Sequence, residues 1–159
     1  MWRPRPRLRR HPARPPERRG LLPAGAAPDE RDLAAAIELR EAIYALVWAR
    51  PHGRPLSPTA IGTVNATAAE APPRPVLTPE GWSRDGSARQ ALSQLAREAI
   101  EIVGGERARL LRECAPPECT QVHLDHSRGR RREWCSMATC GSRVKAKAYR
   151  ERRKTRAAA

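Results

Sequence analysis

Four cysteines stand in two matched pairs, Cys114-x4-Cys119 and Cys135-x4-Cys140, with fifteen residues between the pairs and no other cysteine in the chain. Four thiolates around zinc, at Zn–S distances of about 2.3 Å, form a closed tetrahedral site with no position left for water. Such a site staples a fold rather than catalysing a reaction. A staple is needed here, because the segment around the cysteines is too poor in apolar residues to hold itself together by burial. Two structural disulfides would use the same residues, but the matched spacings and an expected cytoplasmic, reducing setting favour the metal. His123 and His126 lie between the pairs and are read as hairpin surface or packing residues, since four sulfurs already satisfy zinc. With every thiol engaged, no cysteine nucleophile remains. The scattered Ser, His and Asp show no triad spacing, so the chain is not expected to be an enzyme.

The elements that must bring the sulfurs together can be read locally. Cys114-Ala-Pro-Pro-Glu-Cys119 predicts a tight turn whose prolines fix the backbone, after a lead-in that offers Leu110 and Leu111 for packing. Gln121 to Asp125 alternates polar and apolar residues as a half-buried strand does, Ser127 to Arg130 predicts a turn, and Arg131 to Cys135 returns as the second strand. The second cysteine pair runs directly into a helix over about 141–153. Knuckle, β-hairpin, knuckle and basic helix make a treble-clef-like zinc finger over residues 106–156. From Arg143 onward the helix carries Lys145, Lys147, Arg150, Arg152, Arg153, Lys154 and Arg156, opposed by Glu151 alone. Val144, Ala148 and Tyr149 are expected to pack on the hairpin, leaving Lys147, Arg150 and Lys154 as an outward row. Arg128, Arg130, Arg131 and Arg132 add charge from the hairpin side. Cations so grouped bind phosphates and release counterions, so salt should weaken binding steeply.

Upstream, residues 29–103 read as a small helical domain, making the whole mainly α. Asp29, Glu30 and Asp32 load the first turn of a helix with acid. Leu33, Ala36, Ile37, Leu39, Ile43, Leu46 and Val47 recur at three- and four-residue intervals behind them. Ser57 and Pro58 open a second helix. Ala71 to Pro75 is a rigid link, with Val76, Leu77 and Trp82 in a short extended segment. Ser87 and Gln90 form a capping box before a third helix, which is expected to bury Ala91, Leu92, Leu95, Ala99, Ile100 and Val103 and to end at Gly104-Gly105. Trp48, Trp82 and Trp134 are the large fillers available in a chain without phenylalanine. His52, in a Pro/Gly loop, is read as a turn residue.

The formal net charge of +14 is segregated. Residues 1–28 hold eight arginines and one glutamate and are expected to be disordered, residues 29–103 carry a net −2, and residues 104–159 a net +9. Charge gathered at both ends of a near-neutral middle points to a polyanionic partner, nucleic acid before membrane. No apolar stretch approaches the roughly 20 residues of a membrane span. Arg18-Arg19 and the short run after it imitate a twin-arginine export signal, but the apolar core is brief and broken by Pro23.

The stretch from Arg128 to Arg153 resembles the CGNR zinc finger, whose Cys-Gly-Asn-Arg run stands here as Cys140-Gly141-Ser142-Arg143. Trp134-Cys135-Ser136-Met137, Leu124-Asp125-x-Ser127-Arg128 and Leu110-x3-Cys114-Ala-x3-Cys119 match as well. Residues 29–103 are similar, more loosely, to the helical part of the ABATE domain, through Leu39 to Ile43 and Val64-Asn65-Ala66. The resemblance implies a zinc-binding, DNA-binding bacterial transcription regulator of stress-related type, with DNA preferred over RNA and the four cysteines as ligands. A zinc-stapled protein-interaction module or an RNA binder is the alternative. Three departures stand out. Ser142 replaces the family's asparagine, His123 takes a place where an aromatic residue is usual, and the Arg/Pro segment stands where the first part of the ABATE domain is expected.

Overall fold

Local hydrogen bonds start each of the first three helices. The computed structural model describes residues 28–79 and 81–157, so most of the Arg/Pro segment lies outside the described residues. Helix α1, Glu30–Ala49, opens on Asp29, whose carboxylate accepts from the Asp32 amide at 2.8 Å while Asp32 accepts in return from the Asp29 amide at 3.3 Å. Helix α2, Pro58–Ala68, is capped by Ser57 with proline in the first turn. Helix α3, Ala88–Gly104, carries the expected box, the Ser87 hydroxyl accepting from the Gln90 amide at 3.3 Å and Gln90 accepting from the Ser87 amide at 2.9 Å.

Leu39, Ala42 and Leu46 of α1 meet Ala60 and Val64 of α2 and Ala96 and Val103 of α3 in one core. The alanines let the three helices approach closely, and Leu56, Ile43, Val47 and Leu92 seal the margins. Ser93 is fully buried, but its hydroxyl donates to the Glu70 carbonyl at 2.6 Å, which satisfies both groups where the chain leaves α2.

The burial differs from the sequence expectation in one instructive way. Leu33 and Ile37 are 60% and 45% exposed. At about 100° per residue they lie on the side of α1 opposite Leu39, Ala42 and Leu46, so the apolar positions of this helix form two faces rather than one. In α3, Leu95 and Ile100 also stay exposed, while Ala96 and Ser93 take the buried places. Nor is Trp82 a filler: it stands exposed on a hairpin of β1 (Arg74–Thr78) and β2 (Gly81–Asp85), opposite Leu77. That hairpin replaces the rigid link and single extended segment, and an Arg74–Asp85 ion pair of 2.9 Å closes its open end.

After α3 a 3-10 turn, Glu106–Leu110, leads into strand β3 (Leu111–Glu113), which pairs antiparallel with β4 (Val122–Leu124). The finger's hairpin therefore encloses the first cysteine pair instead of following it, and Arg131 to Cys135 is not a strand. The physical reason is the apolar pair formed by Leu111 opposite Leu124, for which Arg131-Arg132-Glu133 has no equivalent. One backbone bond, from the Ala115 amide to the Glu133 carbonyl at 2.7 Å, ties the irregular return to the knuckle. A π-turn, Met137–Gly141, then opens into α4, Ser142–Ala157. The fold is mainly α with a small cysteine-bearing region. No helix among the described residues is long and apolar enough to cross a membrane.

Candidate metal centre and its basic surface

The strand pair presents the first two sulfurs. The Cys114 amide donates to the Gln121 carbonyl at 2.9 Å, closing the knuckle at the strand ends, and the Cys119 amide donates to Pro116 at 2.9 Å within it. Of the second two, Cys140 lies in the π-turn and Cys135 immediately precedes its cap. Ser136 caps that turn through the Ala138 amide at 3.2 Å, and the Gly141 amide donates to the Ser136 carbonyl at 3.0 Å. Gly141 is obligatory for close packing. A Cβ there would lie 2.7 Å from Met137 Sδ and 2.9 Å from Trp134 Nε1, so the indole lies directly against the backbone beside Cys140. Trp134 thus shields the knuckle.

All four sulfurs lie within 4.8 Å of one another, with Cys119 and Cys135 4.0 Å apart. A zinc tetrahedron with bonds of about 2.3 Å needs sulfurs roughly 3.8 Å apart. The cluster therefore closes onto the ion with sub-ångström to one-ångström shifts. Cys114 and Cys140 are each 4% exposed and form the floor, while Cys119 and Cys135 are half-buried.

Burial disfavours the thiolate form at the floor of the cluster. Burial pushes the Cys114 thiol up to about 12, and the neighbouring Cys119 followed by burial raises Cys140. For Cys135, burial pulls upward but is outweighed by hydrogen bonding from Thr139 and the other cysteines, leaving it lowered. Thiolates brought this close repel one another unless a cation offsets their charge, which is the chemistry of a structural metal site. Two donors already point at the sulfurs, the Cys135 amide at 3.3 Å from Cys114 Sγ and the Arg143 guanidinium at 4.0 Å from Cys140 Sγ. Zinc supplies charge and cross-linking here, and the residues supply the cage.

Asp125 is a functional support that sequence reasoning left unassigned. It is 1% exposed, and its carboxylate accepts from the Ser127 amide at 2.8 Å and from the Arg132 amide at 3.1 Å. Hydrogen bonding with Ser127 holds its carboxyl below the ordinary value. Its signal was the Asp-x-Ser spacing of an Asx turn. Asp125 thereby sets the loop that holds Arg128, Arg130 and Arg131 out in solvent. Arg130 sits at a positive φ of 51°, next to Gly129 at 83°.

Arg132 is placed differently from its neighbours. Its Nε donates to the Trp134 carbonyl at 2.7 Å and its Nη2 to the Cys135 carbonyl, so it braces the second knuckle. Along α4, Arg143, Lys145, Lys147, Arg150 and Arg153 are all exposed; the Lys154 side chain lies outside the described residues. Tyr149 is 56% exposed and Val144 38%, so neither packs on the hairpin as expected, and only Ala148 is partly covered. The ring of His123 occupies the half-buried hairpin place where an aromatic residue was expected. Its two ring nitrogens are buried with no well-formed hydrogen bond, and burial, then the charge of Arg132, lowers its pKa while the Arg132 backbone opposes the shift.

Side-chain hydrogen bonds among the described residues help join finger and helical body. The Tyr44 hydroxyl donates to the Thr120 carbonyl at 2.9 Å. His52 reaches the Trp48 carbonyl through Nδ1 at 2.7 Å and the Glu113 carboxylate through Nε2 at 3.1 Å, with its ring stacked on Trp48. His52 is therefore a strut as well as a turn residue. Its partner lies 61 residues away, and no local pattern announces it.

The described residues thus form a helical bundle followed by a four-cysteine, metal-binding finger. Family models bear on the whole of it: residues 17–106 match ABATE, described as "Putative stress-induced transcription regulator", and residues 110–153 match the CGNR zinc finger. The chain belongs to the ABATE family and carries a CGNR zinc finger whose four cysteines are positioned to bind zinc. The ABATE match begins at residue 17, inside the Arg/Pro segment. No curated protein matches the chain.

Proposed function

We propose that this chain is a cytoplasmic, non-enzymatic DNA-binding transcription regulator whose zinc finger docks α4 on duplex DNA. The observation that carries the reading is the charge of α4. This 16-residue helix holds eight cations against one acid, and the cations among its described side chains are all exposed. Arg128, Arg130 and Arg131, held out by the Asp125 turn, add a second set of phosphate contacts. Membership of a zinc-finger family described as regulatory supports a nucleic-acid partner, and the choice of DNA over RNA rests on that family resemblance.

The test is titration of zinc-loaded protein with random-sequence duplex DNA across a salt series, beside a duplex RNA competitor. Tight, salt-sensitive DNA binding is expected, weakened at least tenfold by Arg143→Ala combined with Arg150→Ala. Unchanged affinity in that variant would remove α4 from the interface. A second reading, docking of a protein on the helical body, is favoured by one observation: Leu77 is 86% exposed at the β1–β2 hairpin. Pull-down of a partner lost on Leu77→Ser, with no DNA bound by the finger, would install that reading instead.

A further inference from the structure

The cations of α4 are not scattered around it. At about 100° per residue, Arg143, Lys147 and Arg150 fall in one row, and Lys145, Arg152 and Arg156 in a second row about 180° away. All six side chains are exposed, and among the described residues none forms an ion pair with a carboxylate. On one side between the rows lie Tyr149 and Arg153, both exposed. On the other lie Val144, the half-buried Ala148 and the single acid, Glu151.

Two opposed rows are costly to the free helix. Like charges at i, i+3 and i, i+4 destabilise an exposed helix by a few tenths of a kcal/mol each, and α4 packs mainly on its own π-turn. A flat anionic surface would neutralise one row and leave the other repelling itself. A groove walled by phosphates neutralises both. The major groove of B-DNA, about 12 Å wide, admits a helix about 10–12 Å across, whereas the major groove of duplex RNA is too narrow.

We infer that α4 lies in the major groove of duplex DNA with one row on each phosphate strand, so that Tyr149 and Arg153 face the bases. This rests on the DNA-binding reading and specifies its geometry. The first row already borders a concavity suited to a phosphate strand, a cleft of about 290 Å³ between α4 and the first knuckle, with Arg143, Lys147 and Arg150 along one wall and Pro116 and Glu118 along the other. Glu118 opposes an anion there, so it tempers affinity at the row it faces. Arg143 divides its charge between this cleft and the Cys140 sulfur, which leaves Lys147 and Arg150 as the cleaner probes.

The experiment uses the full zinc-loaded chain and two double variants, Lys147→Ala with Arg150→Ala and Lys145→Ala with Arg152→Ala. Each is read by the salt dependence of duplex DNA binding and by phosphate-ethylation interference. Alanine is the best helix former, and glutamine pairs at the same positions repeat the test should either alanine variant lose helicity. Each double variant is expected to flatten the log–log salt slope by about 2, with the lost phosphate contacts on opposite strands flanking one major groove. Glu118→Gln should tighten binding, and Arg153→Ala should broaden the sequences selected. If wild type binds duplex DNA but only one row matters, or both rows map to the same strand, the groove geometry falls while the DNA reading stands. Absence of duplex binding by wild type would overturn both.

Discussion

Arg130 occupies a backbone conformation that costs a non-glycine residue about 1 kcal/mol, at a φ of 51° beside a glycine already in the left-handed region. Its amide closes the turn onto the Ser127 carbonyl at 3.1 Å, but its side chain is exposed and makes no internal ion pair among the described residues, so its charge offsets none of the strain within the fold. Repayment from a polyanion is consistent with the proposed function. Arg130→Gly should raise finger stability by about 1 kcal/mol in denaturant titration while weakening duplex DNA binding. Gain of stability with unchanged affinity would remove Arg130 from the interface. At this scale the cysteines were legible because four identical residues at matched spacing have few uses. The division of labour among the arginines was not legible. Arg131 and Arg132 are indistinguishable in sequence, yet only Arg132 turns inward onto the carbonyls of Trp134 and Cys135.

Among the elements, those written in contacts of three or four residues were readable. The Ser87/Gln90 box and the Ser57-Pro58 start appear where their spacing put them, because cap and helix lie within one turn. Pairing of β3 with β4 was missed for the opposite reason. Leu111 and Leu124 meet only after the knuckle folds between them, and alternation in 121–125 names a strand without naming its partner. The π-turn is the element most sensitive to a single atom. Gly141→Ala places a methyl against Trp134 and Met137, and since the indole is rigid the turn must open at Cys140. Zinc affinity in a competing-chelator assay should fall at least tenfold, with α1–α3 unaffected by far-ultraviolet circular dichroism. Retained affinity would show that the turn has slack the packing does not display.

As a whole the molecule has two sources of cohesion. The core of Leu39, Leu46, Val64 and Val103 belongs wholly to α1–α3, whereas among the described residues of the finger the buried hydrophobic side chains are Leu111, Cys114 and Cys140. Removal of zinc with a chelator should therefore collapse amide protection across 111–142 in hydrogen exchange and leave the slowest amides of α1 and α3 in place. Loss of protection throughout would mean that the metal holds the helices as well. The first knuckle is held at both of its ends from one region, Thr120 by Tyr44 of α1 and Glu113 by His52 in the turn that follows α1. That double grip makes α1 a mount on which the finger is aimed. A tilt of the helix by a few degrees, from any event in the body, re-points the far end of α4 relative to its target without disturbing a single sulfur.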